Sequence, residues 1–162
     1  MYLTVSIAEQ CLRVFKAETE VSHPLAEFAI SSGLKGVGCE KHSGKTPLGR
    51  HQIRAKIGAH QPLNAVFVGR RPTGELYCDA LAEQFPHRDW ILTRILWLSG
   101  LEKGVNRLGE VDSMQRYIYL HGTPDSEPMG VAKSHGCIRM RNADLVQLFD
   151  WVEAGTVVEI LP

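Results

Sequence analysis

The chain has 162 residues, 44% of them hydrophobic and 22% charged, with 18 Lys plus Arg balanced by 18 Asp plus Glu. That length suits one domain spanning residues 1–162, with enough apolar material for a core that needs no disulfide or metal staple. Zero net charge leaves no electrostatic footprint for nucleic acid or an anionic membrane surface, and no stretch approaches the roughly 20 apolar residues of a membrane span.

The opening MYLTVSIAEQCLRVF lacks a basic n-region, and Glu9, Arg13 and Lys16 interrupt its apolar residues. It reads as mature structure rather than a signal peptide. The expectation is a cytoplasmic chain as written, or a periplasmic or cell-wall one if a leader was removed. Within it, Leu3, Val5 and Ile7 alternate with Tyr2, Thr4 and Ser6, the period of a half-buried strand. CLRVF resumes the alternation after a short break and completes a hairpin. AEFAISS predicts a third strand, ended by Gly33. Residues 33–50, GLKGVGCEKHSGKTPLGR, form a long glycine-rich loop, of the kind that carries function in compact domains. HQIRAKI and NAVFVG predict two further strands.

DALAEQF predicts a short helix capped by Asp79 and stopped by Pro86. WILTRILWL fits either a buried strand or an amphipathic helix; its Ile, Thr and Trp content favours strand. Glycine-rich, polar GLEKGVNRLGE suggests that residues 78–112 border a cleft as a lid. YIYLHG is a strand that delivers His121 at its end. In NADLVQLFDWVEAG, Leu145, Leu148, Phe149 and Val152 share one helical face, Asn142 stands at the N-cap and Gly155 closes the helix. TVVEIL is a last strand. The fold class is mainly β with one or two helices.

Several motifs fail on inspection. GKT at 44–46 lacks the glycine a phosphate loop needs at Cys39, and Pro47 would break the helix that should follow. GVGCEK has Lys41 where a dinucleotide loop needs its third glycine. His23, His42, His51, His60 and His87 are scattered without ligand spacing and read as surface residues. Cys11, Cys39, Cys78 and Cys137 contain no CxxC pair and lie tens of residues apart, a poor framework for disulfides or zinc. Cys11 is expected in a strand, Cys39 and Cys78 in loops or at strand ends.

Cys137 stands apart, in SHGCIRM. A nucleophilic thiol needs a base, a group to orient the base, and donors for an oxyanion. His121 ends an apolar strand sixteen residues upstream, and the Pro- and Gly-containing stretch between them can fold back. Ser134, or a backbone carbonyl near Gly122, is placed to hold the far ring nitrogen of His121 and fix its tautomer. Gly136 clears space before the thiol and offers N–H groups, its own and that of Cys137, to a carbonyl oxygen. Arg139 adds a positive charge that lowers the thiol pKa or grips a substrate carboxylate. The competing readings are an inert buried cysteine and a metal site using Cys137, His135 and His121. No fourth ligand is evident for the metal.

These residues resemble the L,D-transpeptidase catalytic domain family, the YkuD domain. Its hallmark is a His-Gly pair followed about sixteen residues later by Ser-His-Gly-Cys-x-Arg, here His121-Gly122 and Ser134-His135-Gly136-Cys137-Ile138-Arg139. Its early TPxG turn matches Thr46-Pro47-Leu48-Gly49. The resemblance extends over nearly the whole chain and implies a β-sandwich-like fold with a long helix. It implies Cys137 as nucleophile and His121 as general base, with Ser134 or the Gly122 carbonyl orienting His121. His135 would wall the pocket, and Arg139 would bind substrate or support the thiolate. The implied partners are peptidoglycan stem peptides or muropeptides, with no cofactor and no metal. The implied reaction cleaves a tetrapeptide stem before its terminal D-alanine through a thioester. An amine acceptor makes it an L,D-transpeptidase, and water an L,D-carboxypeptidase. A non-catalytic wall-peptide binding module is the rival reading.

Overall fold

A computed structural model describes residues 1–162. Strands β1 (Tyr2–Ser6), β2 (Cys11–Phe15) and β3 (Ala26–Ser31) form an antiparallel meander. They are followed by β4 (Gly49–Ile57), β5 (Ala65–Val68), β6 (Arg71–Leu76), helix α1 (Asp79–Gln84), β7 (Ile91–Gly100), β8 (Tyr119–Gly122), β9 (Ile138–Met140), helix α2 (Asn142–Trp151) and β10 (Val157–Leu161). All ten strands belong to one sheet, in the order β4-β10-β1-β2-β3-β9-β8-β7-β5-β6.

A further pairing of β4 with β7 closes that sheet into a ring, so the architecture is a barrel rather than the expected sandwich. One strand makes the closure possible. β7 gives one edge to β8; its other edge meets β5 through Leu92 and Ile91, then β4 from Ile95 to Gly100. The change of partner falls at a bulge containing Thr93, whose φ of 73° is left-handed and unusual for a β-branched residue. Two pairings in the ring are parallel, β1 with β10 and β8 with β9. A parallel pair needs a long crossover. For β8 and β9 that crossover is residues 123–137, which carries Ser134 to Cys137.

The inward residues of the alternating strands make one principal core, among them Leu3, Val5, Leu12, Val14, Ile30, Ile53, Leu96, Leu120 and Ile160. Helix α2 adds Leu145, Leu148 and Phe149 to it, the face predicted from their spacing. Asn142 does not cap α2: Arg141 occupies the N-cap, and the Asn142 amide turns inward. The helix ends at Trp151, four residues before Gly155, whose left-handed turn instead donates its N–H to the Ile53 carbonyl and leads into β10. At α1 the N-cap is Cys78, again without a side-chain cap bond, rather than Asp79. β6 pairs with β5 through a two-residue turn in which Gly69 and Arg70 both have positive φ. The four cysteines are free, Cys11 buried in β2 and Cys78 exposed. No helix is long and apolar enough to cross a membrane.

His51 is fully buried, which corrects its reading as a surface histidine. It shares the inward face of β4 with Ile53, and its ring bonds the Gly49 carbonyl through Nδ1 (3.0 Å) and the Ser113 hydroxyl through Nε2 (2.8 Å). A carbonyl only accepts, so Nδ1 carries the proton and Ser113 donates to Nε2. Burial holds its pKa down at about 4.

Candidate active site

The parallel register of β8 and β9 sets Leu120 beside Ile138 and His121 beside Arg139. Strand alternation then directs Tyr119, His121, Cys137 and Arg139 to one side of the pair. All four line a cavity of about 360 Å³, together with Arg70, Asp89, Ser134 and His135. The structure thus brings the predicted base and nucleophile to a common cavity, from neighbouring strands. A second cavity, about 440 Å³, opens on Cys137 from another side, walled by Lys41, His42, Gln115, Arg116, Tyr117 and His135.

His121 is 2% exposed, and its Nδ1 lies 2.7 Å from the Gly122 carbonyl. Because that oxygen only accepts, Nδ1 bears the proton and Nε2 is left as a free base. Of the two candidate orienting groups, the Gly122 carbonyl makes this bond. Burial lowers the His121 pKa below the ordinary histidine value, against the opposing pull of the Gly122 bond. Cys137 sulfur accepts a bond from the Tyr119 N–H (3.4 Å) and lies 3.3 Å from the Tyr117 carbonyl. Burial pushes its thiol up to about 12, with the Tyr119 N–H, Arg116 and Arg139 drawing it back. Both shifts favour a neutral thiol beside a neutral imidazole at rest.

Ser134 serves the cysteine rather than the histidine. Its hydroxyl donates to the Cys137 carbonyl and accepts the Gly136 N–H at 3.1 Å, closing the tight turn that presents the sulfur. The Gly136 N–H is therefore engaged within the turn, whereas the Cys137 N–H makes no bond within the chain. Gly136 has φ of 120°, and a Cβ there would lie 3.1 Å from the Lys45 carbonyl, so glycine is required. The TPxG turn buttresses the same segment: the buried Thr46 hydroxyl donates to the Gly136 carbonyl (2.9 Å) and accepts the Gly33 N–H (2.8 Å). Arg139 is 9% exposed and its charge is met by Asp89 (3.4 Å), Glu127 (3.8 Å) and the Lys133 carbonyl (3.4 Å). His135 is exposed, 3.5 Å from Asp89, and lines both cavities. No three His, Cys, Asp or Glu side chains converge in a way that could hold a metal ion.

Sequence reasoning missed a polar brace behind His121. The buried Asn142 amide donates to the Thr123 carbonyl (2.9 Å), Asn64 Oδ1 (3.2 Å) and Asp125 Oδ1 (3.2 Å), and accepts from the Thr93 hydroxyl (2.6 Å). A Cβ on Gly122 would overlap Asn142 Oδ1 and the Leu92 carbonyl, so the glycine after His121 is what allows this close packing. It also missed Arg116, which spans the cavity wall to the 38–45 loop.

The sequence profile of the L,D-transpeptidase catalytic domain family, YkuD, matches residues 1–160. The chain belongs to this family. A stretch of 46 residues is 46% identical to the probable L,D-transpeptidase ErfK/SrfK of Salmonella typhimurium, covering 28% of this chain and 15% of that protein. Among solved structures, the L,D-transpeptidase of Enterococcus faecium, a cysteine mutant, superposes with a TM-score of 0.57 at 18% identity, covering 99% of this chain and 49% of the other. Mycobacterium tuberculosis L,D-transpeptidase 3, solved with a faropenem-derived adduct, gives 0.55 at 15% identity, covering 99% and 60%. The chain thus spans about half the length of these solved relatives. The barrel with its α2 helix is the fold it shares with them.

Proposed function

We propose that this chain is a cysteine-dependent L,D-transpeptidase acting on peptidoglycan tetrapeptide stems. The observation that carries the reading is the seat of Cys137, with the free-base nitrogen of His121 lining one cavity and a second cavity opening on the sulfur. As the sulfur attacks the carbonyl of the third stem residue, His121 takes the thiol proton; no preformed ion pair is needed. The unengaged Cys137 N–H is the donor for the oxyanion. His121 then returns the proton to the departing amine of D-alanine, leaving a thioester. An incoming amine gives up its proton to His121 as it attacks the thioester, which forms the cross-link and regenerates the thiol.

Two cavities around one sulfur suit a reaction that accommodates an acyl arm and a separate amine, which favours transfer over hydrolysis. The carboxypeptidase outcome remains the second reading, because water reaches the thioester through the same cavities. Incubation with a disaccharide tetrapeptide, with and without an amine acceptor, separates them by mass spectrometry. Exchange or dimer product supports transfer, and tripeptide alone indicates hydrolysis. Neither product, with stem binding retained, would leave only a binding module.

A further inference from the structure

Tyr117 holds an unusual backbone conformation beside the sulfur. Its φ of 56° is left-handed, a region that bulky side chains rarely adopt. Its carbonyl lies 3.3 Å from the Cys137 sulfur, and the Tyr119 N–H donates to the same sulfur at 3.4 Å. Both polar contacts of the sulfur within the chain therefore come from residues 117–119, and neither comes from His121 or the Ser134 turn. A strained backbone of this kind persists only where its surroundings hold it.

What holds it comes from a distant part of the chain. Gly69 and Arg70 form the tip of the β5–β6 hairpin, and Arg70 is itself left-handed, with φ of 65°. Its guanidinium lies 4.5 Å from the Tyr117 ring centroid and 5.0 Å from that of Trp97, and it donates to the Tyr119 hydroxyl at 3.0 Å. Trp97 is fixed in turn by its Nε1–H bond to the Met114 carbonyl (3.1 Å). Arg70 forms no ion pair, so its charge faces aromatic rings and a phenol oxygen. One arginine thus touches the side chains of both residues whose backbones touch the sulfur. Resting on Cys137 as the nucleophile of the reading above, we infer that Arg70 is a positioning residue: by clamping Tyr117 and Tyr119, it holds the carbonyl and the N–H that seat the thiol. Arg70 acts through the two tyrosines. A planar guanidinium stacks with its face and donates from its edge at once, which a lysine ammonium does not do.

The test compares Arg70→Met and Arg70→Lys with the parent, with thermal melts confirming that each folds. On a tetrapeptide donor with an amine acceptor, Arg70→Met is expected to lower kcat by at least about tenfold while KM changes by less than about twofold. Arg70→Lys fails to restore kcat. Tyr119→Phe removes the hydroxyl that Arg70 engages, so Arg70→Met costs less in that background than in the parent. Labelling of Cys137 by iodoacetamide at about pH 8, followed by mass spectrometry of its peptide, reads the thiol without any substrate contact. It slows by at least about threefold in Arg70→Met, because a loosened Tyr119 N–H no longer supports the thiolate. A raised KM with unchanged kcat and full rescue by lysine makes Arg70 a charge that grips substrate, and overturns the inference. So does a labelling rate that is unchanged or raised, or strict additivity in the double variant. A tetrapeptide left unprocessed by the parent, with labelling still slowed in Arg70→Met, overturns the transpeptidase reading and leaves the positioning role standing.

Discussion

Replacing Asn142 with alanine tests whether the brace behind His121 governs its position. The side chain is buried, and its amide is the partner of the Thr93 hydroxyl on one side and the Thr123 carbonyl on the other. Truncation leaves both of those groups without their Asn142 partner inside the protein, at about 1–3 kcal/mol each. The expected loss of stability is therefore roughly 2–6 kcal/mol, or a fall in Tm of roughly 5–20 °C for a domain of this size. Thr123 follows Gly122, whose carbonyl fixes the His121 tautomer. A relaxed Thr123 lets that carbonyl drift, so kcat measured well below Tm falls by at least about tenfold, with KM changing little. The isosteric Asn142→Asp variant keeps an acceptor for Thr93 but turns oxygen toward the Thr123 carbonyl and the Asn64 and Asp125 oxygens. It is defective at pH 7 and partly restored at acidic pH, where a protonated carboxyl regains one donor. Thermal melts and initial velocities read both effects. A Tm change under about 2 °C together with unchanged kcat in Asn142→Ala would refute the reasoning.

Three other outcomes are expected. His51 has a folded pKa of about 4 against about 6.5 unfolded, so its contribution is complete above pH 6.5 and is lost as pH falls toward 4. Denaturant titrations should show up to about 3 kcal/mol of acid-side loss that His51→Gln removes, and an unchanged slope would exclude the assignment. The His121 pKa lies below its ordinary value, so the acid limb of kcat/KM should have its midpoint below pH 6.5; a midpoint at or above 6.5 counts against a neutral resting imidazole. Thr46→Val removes the bond to Gly136 and the acceptor for Gly33, costing roughly 2–4 kcal/mol and depressing turnover more than an equally destabilising change on the far side of the barrel, as paired melts and rates would show.

The strands were legible where alternation was clean, as in Tyr2–Ser6 and Cys11–Phe15. β6 was not, because Pro72 and Gly74 break the pattern of a strand held at an edge by a tight turn. β9 hid inside SHGCIRM, since three residues are too few for a period to declare itself. Closure was beyond reach: it depends on β7 exchanging one partner for another at Thr93, a choice made by distant strands. The buried His51 had a usable signal, its position two residues before inward-facing Ile53. Asn142 looked like a cap because that residue type favours helix starts, and only the packing of Gly122, Thr93 and Thr123 around it shows a different use. For the site, a motif placed Cys137 and His121 together, whereas the partner of each hydrogen bond was a matter of tertiary geometry. Ser134 illustrates the gap: one hydroxyl had two chemically sensible tasks, and the turn decided between them.

The closed ring also governs when the site can exist. β10 is the last strand in chain order, yet it stands between β1 and β4 and is needed to complete the circle. A nascent chain that has already made Cys137 and His121 still has an unsealed barrel, with the β1 and β4 edges exposed, until β10 emerges. Such long-range pairing folds slowly and leaves edges open to aggregation or proteolysis meanwhile. The seat of Cys137 is thus assembled only once β10 has paired, so the arrival of that strand, rather than of Cys137 itself, sets when the site forms.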